Sequence, residues 1–295
     1  MKENKIMGII WLFIAIILTL FLIWKIKDSI NGNRFKIING FKSAPFFESK
    51  TFDAAEINKI DIYLISENIL VEKSQENKIT VEIYSSKEVA PKVQVIENKL
   101  KIESFKNKVS FSLTPLATQK VVIKLPSIAS INNFDINNTS GSIQIIDIKI
   151  DNINVNCNSG SINMKNSTFV KANAKTTSGA VHIDSCKIVD LEAKSTSGNV
   201  RTSGRFDKLK LNTVSGSIYA DSKKALTQDS EFKAVSGAIY LKIPENSAFN
   251  SSYNCISGKY KNKITGTIAK QGNEVVNGGG AKFEFQSTSG SIQIN

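Results

Sequence analysis

Few side chains of this 295-residue chain could carry out catalysis. His182 is the single histidine, so a zinc site built from several histidines is excluded, and a Ser-His-Asp triad would have to use it. A glycosidase needs two facing carboxyl groups, but no Asp or Glu lies beside another at equivalent positions of neighbouring repeats. The residue types therefore predict a protein without enzymatic activity, cofactor or metal. An envelope-polysaccharide enzyme built on a β-helix is the alternative.

Candidate binding residues are more evident, because they recur at fixed distances from a repeated Ser-Gly pair. Tyrosine and arginine, the types that contribute most energy at interfaces, stand three residues after the glycine. Lysines recur four residues before it. We predict ligand contacts from His182, Arg201, Tyr219, Tyr240, Lys261, Lys175, Lys194 and Lys233.

The charge of the chain narrows the class of ligand. Lys and Arg number 38 against 26 Asp and Glu, a net charge of +12, which favours anionic partners. The lysines are dispersed and no recognition motif is present, so nucleic acid is a weak candidate. We predict an anionic or glycan cell-wall polymer as the ligand. The alternative is a solvated sheet face without a ligand.

The repeat itself indicates which elements hold these side chains. Its glycines are spaced by 19, 19, 19, 18, 21, 21 and 32 residues. A period near twenty is typical of a solenoid in which each repeat forms one coil. Eight Ser-Gly pairs are predicted to form the corners: Ser140-Gly141, Ser159-Gly160, Ser178-Gly179, Ser197-Gly198, Ser215-Gly216, Ser236-Gly237, Ser257-Gly258 and Ser289-Gly290.

Alternating apolar and polar residues flank each corner, which predicts strands with one buried face. Positions five, three and one before the glycine are expected to point inward, followed by positions two and four after it. Glycine allows the bend, and the serine is expected to hydrogen-bond backbone at the corner. The fold class is therefore all-β, a β-solenoid (parallel β-helix or β-roll) with coils of about 19 to 21 residues. A β-sandwich with accidental repeats is the alternative.

The same geometry predicts that the three cysteines are unpaired thiols. Cys157 and Cys255 occupy the same position of repeats five coils apart, about 24 Å at the usual strand spacing. A disulfide requires Cα atoms within about 7 Å. We predict that Cys157, Cys186 and Cys255 are unpaired and that at least two serve as small core residues.

Outside the repeats, the chain divides by composition. Residues 6–24 form a nineteen-residue run with one polar residue, long enough to span a bilayer. We predict a transmembrane signal anchor (1–27), a polar tether (28–50), an irregular β-rich cap region (51–126) and the solenoid (127–295). A cleaved signal peptide is the alternative to the anchor. The final coil follows an inserted loop or hairpin and ends without a capping segment, which predicts self-association through terminal coils.

The stretch "VVIKLPSIASINNFDINNTSGSIQI", followed by repeated S-G-[SAN]-[IV] and by "VSGAIYLKIPENSAF", resembles the putative-adhesin β-strand-repeat family. This bacterial family has no established function, is often membrane-anchored and includes LiaG-like proteins encoded beside envelope-stress genes. The resemblance covers roughly residues 57–295 and transfers no catalytic or ligand residue. It implies an extracellular solenoid held at the cell membrane by one span, an adhesin or envelope-interaction module linked to envelope stress.

By the positive-inside rule, the lysines and Arg34 that follow the span predict the opposite topology, with the bulk of the protein in the cytoplasm. A cytoplasmic, membrane-tethered scaffold is therefore the second alternative function.

Overall fold

The computed structural model describes residues 43–104, 118–127 and 131–295, which are built from strands and turns. The predicted anchor and most of the predicted tether lie outside these residues. Within the described ranges, no helix is long and apolar enough to cross a membrane. Residues 42–295 form one compact unit.

Twenty-three strands are present in the described part of the chain. The strands that precede the repeats are β1 (Phe46–Asp53), β2 (Lys59–Leu64), β3 (Asn68–Lys73), β4 (Lys78–Tyr84), β5 (Lys92–Ile96), β6 (Lys99–Glu103) and β7 (Lys120–Leu125). The central strands are β8 (Asn133–Ser140), β9 (Ile143–Ile146), β10 (Lys149–Ser159), β11 (Ile162–Lys165), β12 (Thr168–Ser178), β13 (Val181–Ser197), β14 (Val200–Ser215) and β15 (Ile218–Ser222). The last strands are β16 (Ser230–Ser236), β17 (Ile239–Lys242), β18 (Phe249–Cys255), β19 (Tyr260–Asn262), β20 (Ile268–Ala269), β21 (Gln271–Val276), β22 (Ala281–Ser289) and β23 (Ile292–Ile294).

The strands form two parallel stacks that meet at the Ser-Gly corners. The pre-corner stack runs in the order β6, β2, β8, β10, β12, β13, β14, β16, β22, β18. The post-corner stack runs in the order β7, β3, β9, β11, β13, β14, β15, β17, β23, β19. The first part of β13 and β14 belongs to the post-corner stack and the second part to the pre-corner stack. One pre-corner and one post-corner strand make a coil, so the solenoid has ten coils in the described residues.

Residues one repeat apart lie directly beside each other, as the repeat predicts. Ile162 pairs with Ile143 on one side and with Val181 on the other. All three side chains are fully buried in one continuous core. Burying such a side chain contributes about 1.5 to 3 kcal/mol, so the stacked columns supply most of the stability.

The cap region is more regular than its sequence suggests. Strands β2 and β3 lie parallel beside β8 and β9, and β6 and β7 lie parallel on their far side. They are two further coils that lack Ser-Gly corners. Strand β1 starts at Phe46, inside the segment assigned to the tether, and pairs with β4.

The order of coils in space differs from their order in the chain at both ends. The last coil in sequence, β22 and β23, lies between β16–β17 and β18–β19. Antiparallel strands cover the outermost coils: β4 and β5 at one end, β20 and β21 at the other. The premise that the chain ends in an open coil is therefore wrong. Self-association through the ends stays a prediction and would have to use the outer edges of β1, β5, β20 or β21, since β4 is paired on both edges.

The corner glycines are required because the coils approach one another too closely for a side chain. A Cβ at Gly198 would lie 2.0 Å from the carbonyl oxygen of Gly179, and one at Gly237 would lie 1.8 Å from that of Gly216. Some corners also need positive φ, as at Gly179 (151°). Close stacking of the coils therefore requires glycine at every repeat, and the backbone conformation also requires it at several of them.

The corner serines have a different role from the one predicted. They are exposed rather than inward, and their hydroxyls make no hydrogen bond in the described residues. The residue three before the glycine caps the corner instead: Thr176 Oγ1 donates to the Gly160 carbonyl at 2.9 Å, and Ser195 Oγ to that of Gly179 at 2.8 Å. This explains why most residues of that buried column are small and polar, with Ala234 as an exception.

A second corner, without a glycine signature, closes three successive central coils. Asp147, Asn166 and Ser185 take it with positive φ of 57°, 51° and 56°. Gly204, which stands outside the repeat register, replaces this turn in the next coil, where its Cβ would lie 2.1 Å from the Cys186 carbonyl. All three cysteines are buried and unpaired, as predicted, and burial raises the pKa of the Cys186 thiol to about 11.

Candidate functional site

The residues three after each corner glycine form a continuous row on the outer face of the post-corner stack. His182 pairs with Arg201, Arg201 with Tyr219, and Tyr219 with Tyr240. We call these four residues the ladder. Four successive strands of equal register position it, and each ladder residue lies between two buried core residues of its own strand.

Ring contacts hold the ladder together. The Arg201 guanidinium lies 4.6 Å from the centre of the Tyr219 ring. The rings of Tyr219 and Tyr240 stack at 5.0 Å with an interplanar angle of 8°. Both faces of the Tyr219 ring are therefore occupied within the protein. Because the tyrosines are still 36% and 37% exposed, what they present to solvent is ring edges and hydroxyl groups.

Lys261 does not continue the ladder, contrary to the order expected from sequence. Gln293 of the inserted last coil pairs with Tyr240 on one side and with Lys261 on the other. The five residues expected on successive coils are thus four neighbours and one outlier. The cause is the position of β23, which the chain order does not reveal.

A depression of about 370 Å³ lies over the ladder. Its second row of outward residues, two positions further along the same strands, includes Asp184, Asp221 and Lys242. Asp221 is ion-paired with Lys223 at 2.6 Å, and Ser203 lies on the strand between the two aspartates. The depression combines two carboxylates with Arg201 and Lys242, so its charges nearly balance. The predicted ligand contacts did not include this row, although the same alternation that places the ladder outward also predicts it.

His182 sits at the end of the ladder as a neutral side chain at physiological pH. Partial burial lowers its pKa, and the neighbouring Arg201 charge lowers it further. Neutral imidazole can donate one hydrogen bond and accept another. Among the residues that the structure describes, no three His, Cys, Asp or Glu side chains are placed to hold a metal ion. The ladder and the depression over it therefore present hydrogen-bond donors and acceptors to a ligand.

The three predicted lysines lie on the pre-corner stack and are not part of the ladder. Lys175 is ion-paired with Glu192 at 2.9 Å, and Lys233 with Glu231 at 3.0 Å and Glu284 at 3.4 Å. Burial opposes ionisation of Glu192, but the ion pair with Lys175 and the charges of Lys210 and Lys171 together lower the Glu192 pKa. Lys194 makes no ion pair in the described residues. Lys175 and Lys194 line a separate groove that shares no residue with the depression over the ladder.

Fold and surface together define an all-β solenoid repeat protein that presents rows of polar side chains on two outer faces. The chain belongs to the Toastrack DUF4097 family, whose model matches residues 57–295. This confirms the family resemblance seen in the Ser-Gly repeats. A search of curated proteins found no match.

Several solved bacterial structures are similar in fold. A putative adhesin from Bacteroides fragilis is 16% identical, with a TM-score of 0.48 over 84% of this chain and 96% of that one. A putative lipid binding protein from Parabacteroides distasonis has the same identity and TM-score over 84% of this chain and 93% of that one. A putative adhesin from Parabacteroides merdae is 10% identical, with a TM-score of 0.44 over 86% and 98%.

Proposed function

We propose that this protein is a non-enzymatic, membrane-anchored surface module of a bacterial cell that contacts a polymer of the cell envelope through the ladder. Family membership supports a repeat domain of this class. The apolar run at residues 6–24 supports an anchor, and its length matches the hydrocarbon thickness of a bilayer. A link to envelope stress is part of the same proposal.

The observation that carries the proposal is the exposed cation–π and stacked-ring arrangement of Arg201, Tyr219 and Tyr240. A ladder of this kind is rigid before it meets a ligand, so few side-chain rotamers would be lost on binding. Its edges offer hydroxyl, guanidinium and imidazole groups. The nearby Asp184 and Asp221 add acceptors for sugar hydroxyl groups. This balance of charge favours a sugar-bearing polymer over a densely anionic one.

The test is binding of the full chain to isolated bacterial cell wall, measured by co-sedimentation. The variant R201S/Y219S/Y240S is expected to lose most of the binding. A matched control is Q144S/N163S, which changes the same outward row three to five coils from the tyrosines. Unchanged binding by the folded triple variant would overturn the role of the ladder.

Two further measurements address anchoring and catalysis. External protease on intact cells is expected to remove the domain if it is extracellular and to leave it intact if it is cytoplasmic. Incubation of the protein with purified envelope polysaccharide is expected to release no new reducing ends. Release of reducing ends that depends on Asp184 or Asp221 would favour the enzyme alternative.

A further inference from the structure

A second surface, on the pre-corner stack, has the form of a channel for an extended chain. This groove has a volume of about 830 Å³ and crosses six consecutive strands, β6, β2, β8, β10, β12 and β13. Five strand spacings make it about 24 Å long, and it runs along the solenoid axis, across the strands. Its two rows of side chains are Glu103, Tyr63, Asn137, Asn156, Lys175 and Lys194 in the first, and Ile65, Thr139, Asn158, Thr177 and Thr196 in the second.

Many polar groups of the groove have no partner inside the protein. Thr139, Asn158, Thr177 and Thr196 line it without a hydrogen bond from their side chains in the described residues. They recur at the spacing of the strands, so a ligand that advances by a similar length would meet an equivalent group at each step. A pyranose ring in an extended, equatorially linked glycan advances by about that length.

The charge of the groove decides which kind of polymer fits. Glu103 is ion-paired with Lys101 at 2.7 Å and Lys175 with Glu192 at 2.9 Å, so those charges are compensated within the protein. Lys194 remains as one uncompensated cation at the β13 end. A polymer with a phosphate on every unit would meet a single cation over the whole length. A chain with occasional carboxylates, and hydroxyl or amide groups elsewhere, is matched.

We propose that this groove binds a linear glycan that carries acetamido groups and occasional carboxylates, extended along the solenoid axis. The Asn and Thr rows exchange hydrogen bonds with its hydroxyl and acetamido groups. Tyr63, which is 44% exposed at the β2 end, packs against a sugar ring, and Lys194 pairs with a carboxylate. The groove is a second site that does not require the ladder.

The experiment is calorimetric titration of the full chain with defined oligosaccharides. A hyaluronan hexasaccharide, which alternates acetamido and carboxylate sugars, is the probe, and chitohexaose, which has the same acetamido group without charge, is the comparison. The hyaluronan fragment is expected to bind at least tenfold more tightly than chitohexaose. K194E is expected to remove that preference, and N158A/T177A is expected to weaken both ligands.

Two matched controls make the result specific. K187E makes the same change of net charge at an exposed lysine outside the groove, and it is expected to bind like the unmodified protein. R201S/Y219S/Y240S is expected to bind the oligosaccharide normally, so failure of the ladder proposal and failure of the groove proposal give different results. No binding of the hyaluronan fragment, or equal weakening by K187E and K194E, would overturn the proposal for the groove.

Discussion

Replacing Gly198 by alanine tests whether close stacking of the corners determines the repeat. The new Cβ would lie 2.0 Å from the carbonyl oxygen of Gly179, against at least 3 Å in ordinary contacts, so one corner must move by about 1 Å or more. Neither atom belongs to a flexible side chain. Gly198 is chosen because its φ lies outside the region that only glycine favours, so the substitution isolates the contact between coils.

The expected cost follows from what such a movement disturbs. Gly198 N donates to the Ser215 carbonyl at 2.9 Å, and Thr213 Oγ1 donates to the Gly198 carbonyl at 2.9 Å. Each hydrogen bond is worth about 1 kcal/mol net, and overpacking a tight site costs about 1 to 3 kcal/mol. Alanine recovers about 0.4 to 1 kcal/mol by restricting the unfolded chain. We expect a net loss of about 3 kcal/mol in the free energy of unfolding.

The assay is denaturant unfolding of the full chain followed by circular dichroism, with S197A as the matched control. Ser197 is the exposed neighbour whose hydroxyl makes no hydrogen bond in the described residues, so S197A should change stability by less than about 0.5 kcal/mol. G179A should lose more stability than G198A, because its Cβ would lie 2.2 Å from the Gly160 carbonyl oxygen and alanine also disfavours the positive φ of Gly179. The reasoning fails if G198A is as stable as S197A.

Three further predictions concern buried polar groups and the order of the coils. The Thr202 hydroxyl is buried without a hydrogen bond, so T202V should raise the free energy of unfolding by about 1 kcal/mol, whereas T213V, which removes a corner bond, should lower it by a similar amount; a loss of stability in T202V would contradict this. Burial acts to raise the Glu274 pKa, but hydrogen bonds from Thr265, Thr267, Asn262 and Tyr260 lower it below its ordinary value of 4.5. The stabilisation by this carboxylate is therefore complete above pH 4.5 and lost as pH falls through the lower folded-state pKa, and the stability gap between the protein and E274Q should close in acid. Deletion of residues 281–295 should remove amide-exchange protection from β18 and β21 while β10 to β12 stay protected, because among the described strands only β22 joins β18 to β16. Full protection of β18 would refute the coil order.

The stacking of coils could be predicted because it depends on residues that repeat at one spacing. Ile162 and Val181 face inward at the same position, and their pairing follows from the period alone. The ladder from His182 to Tyr240 follows for the same reason, since 18 to 21 residues separate its members. The mutual stacking of the tyrosine rings does not follow, because it depends on rotamers rather than on register.

Other features lacked a signal of comparable strength. The corner hydrogen bonds are donated by residues three before the glycine, such as Thr176 and Ser195, and the sequence alone indicates only that these residues are small. The second corner is formed by Asp147, Asn166 and Ser185, which are all residue types common in turns but are not one type, so they leave no repeated motif in the sequence. The coils of β2–β3 and β6–β7 could not be recognised from the repeat because their sequences contain no Ser-Gly pair.

The position of the last coil shows what a repeat period leaves open. A strand pattern predicts that a segment stacks in the solenoid, but it does not determine which coil lies beside it, because every coil has the same inward-facing positions. One signal favours the observed order: Phe285 shares its column with Phe232, and the two rings stack at 4.9 Å, whereas the coil that follows Gly237 in sequence has Tyr253 in that column. Tyr253 stacks instead on Tyr260 of its own coil, at 3.8 Å. Ring matching between coils therefore carries information about neighbours that spacing does not. Because β22 and β23 lie between β16–β17 and β18–β19, the stack at this end depends on β22 and β23 occupying that position.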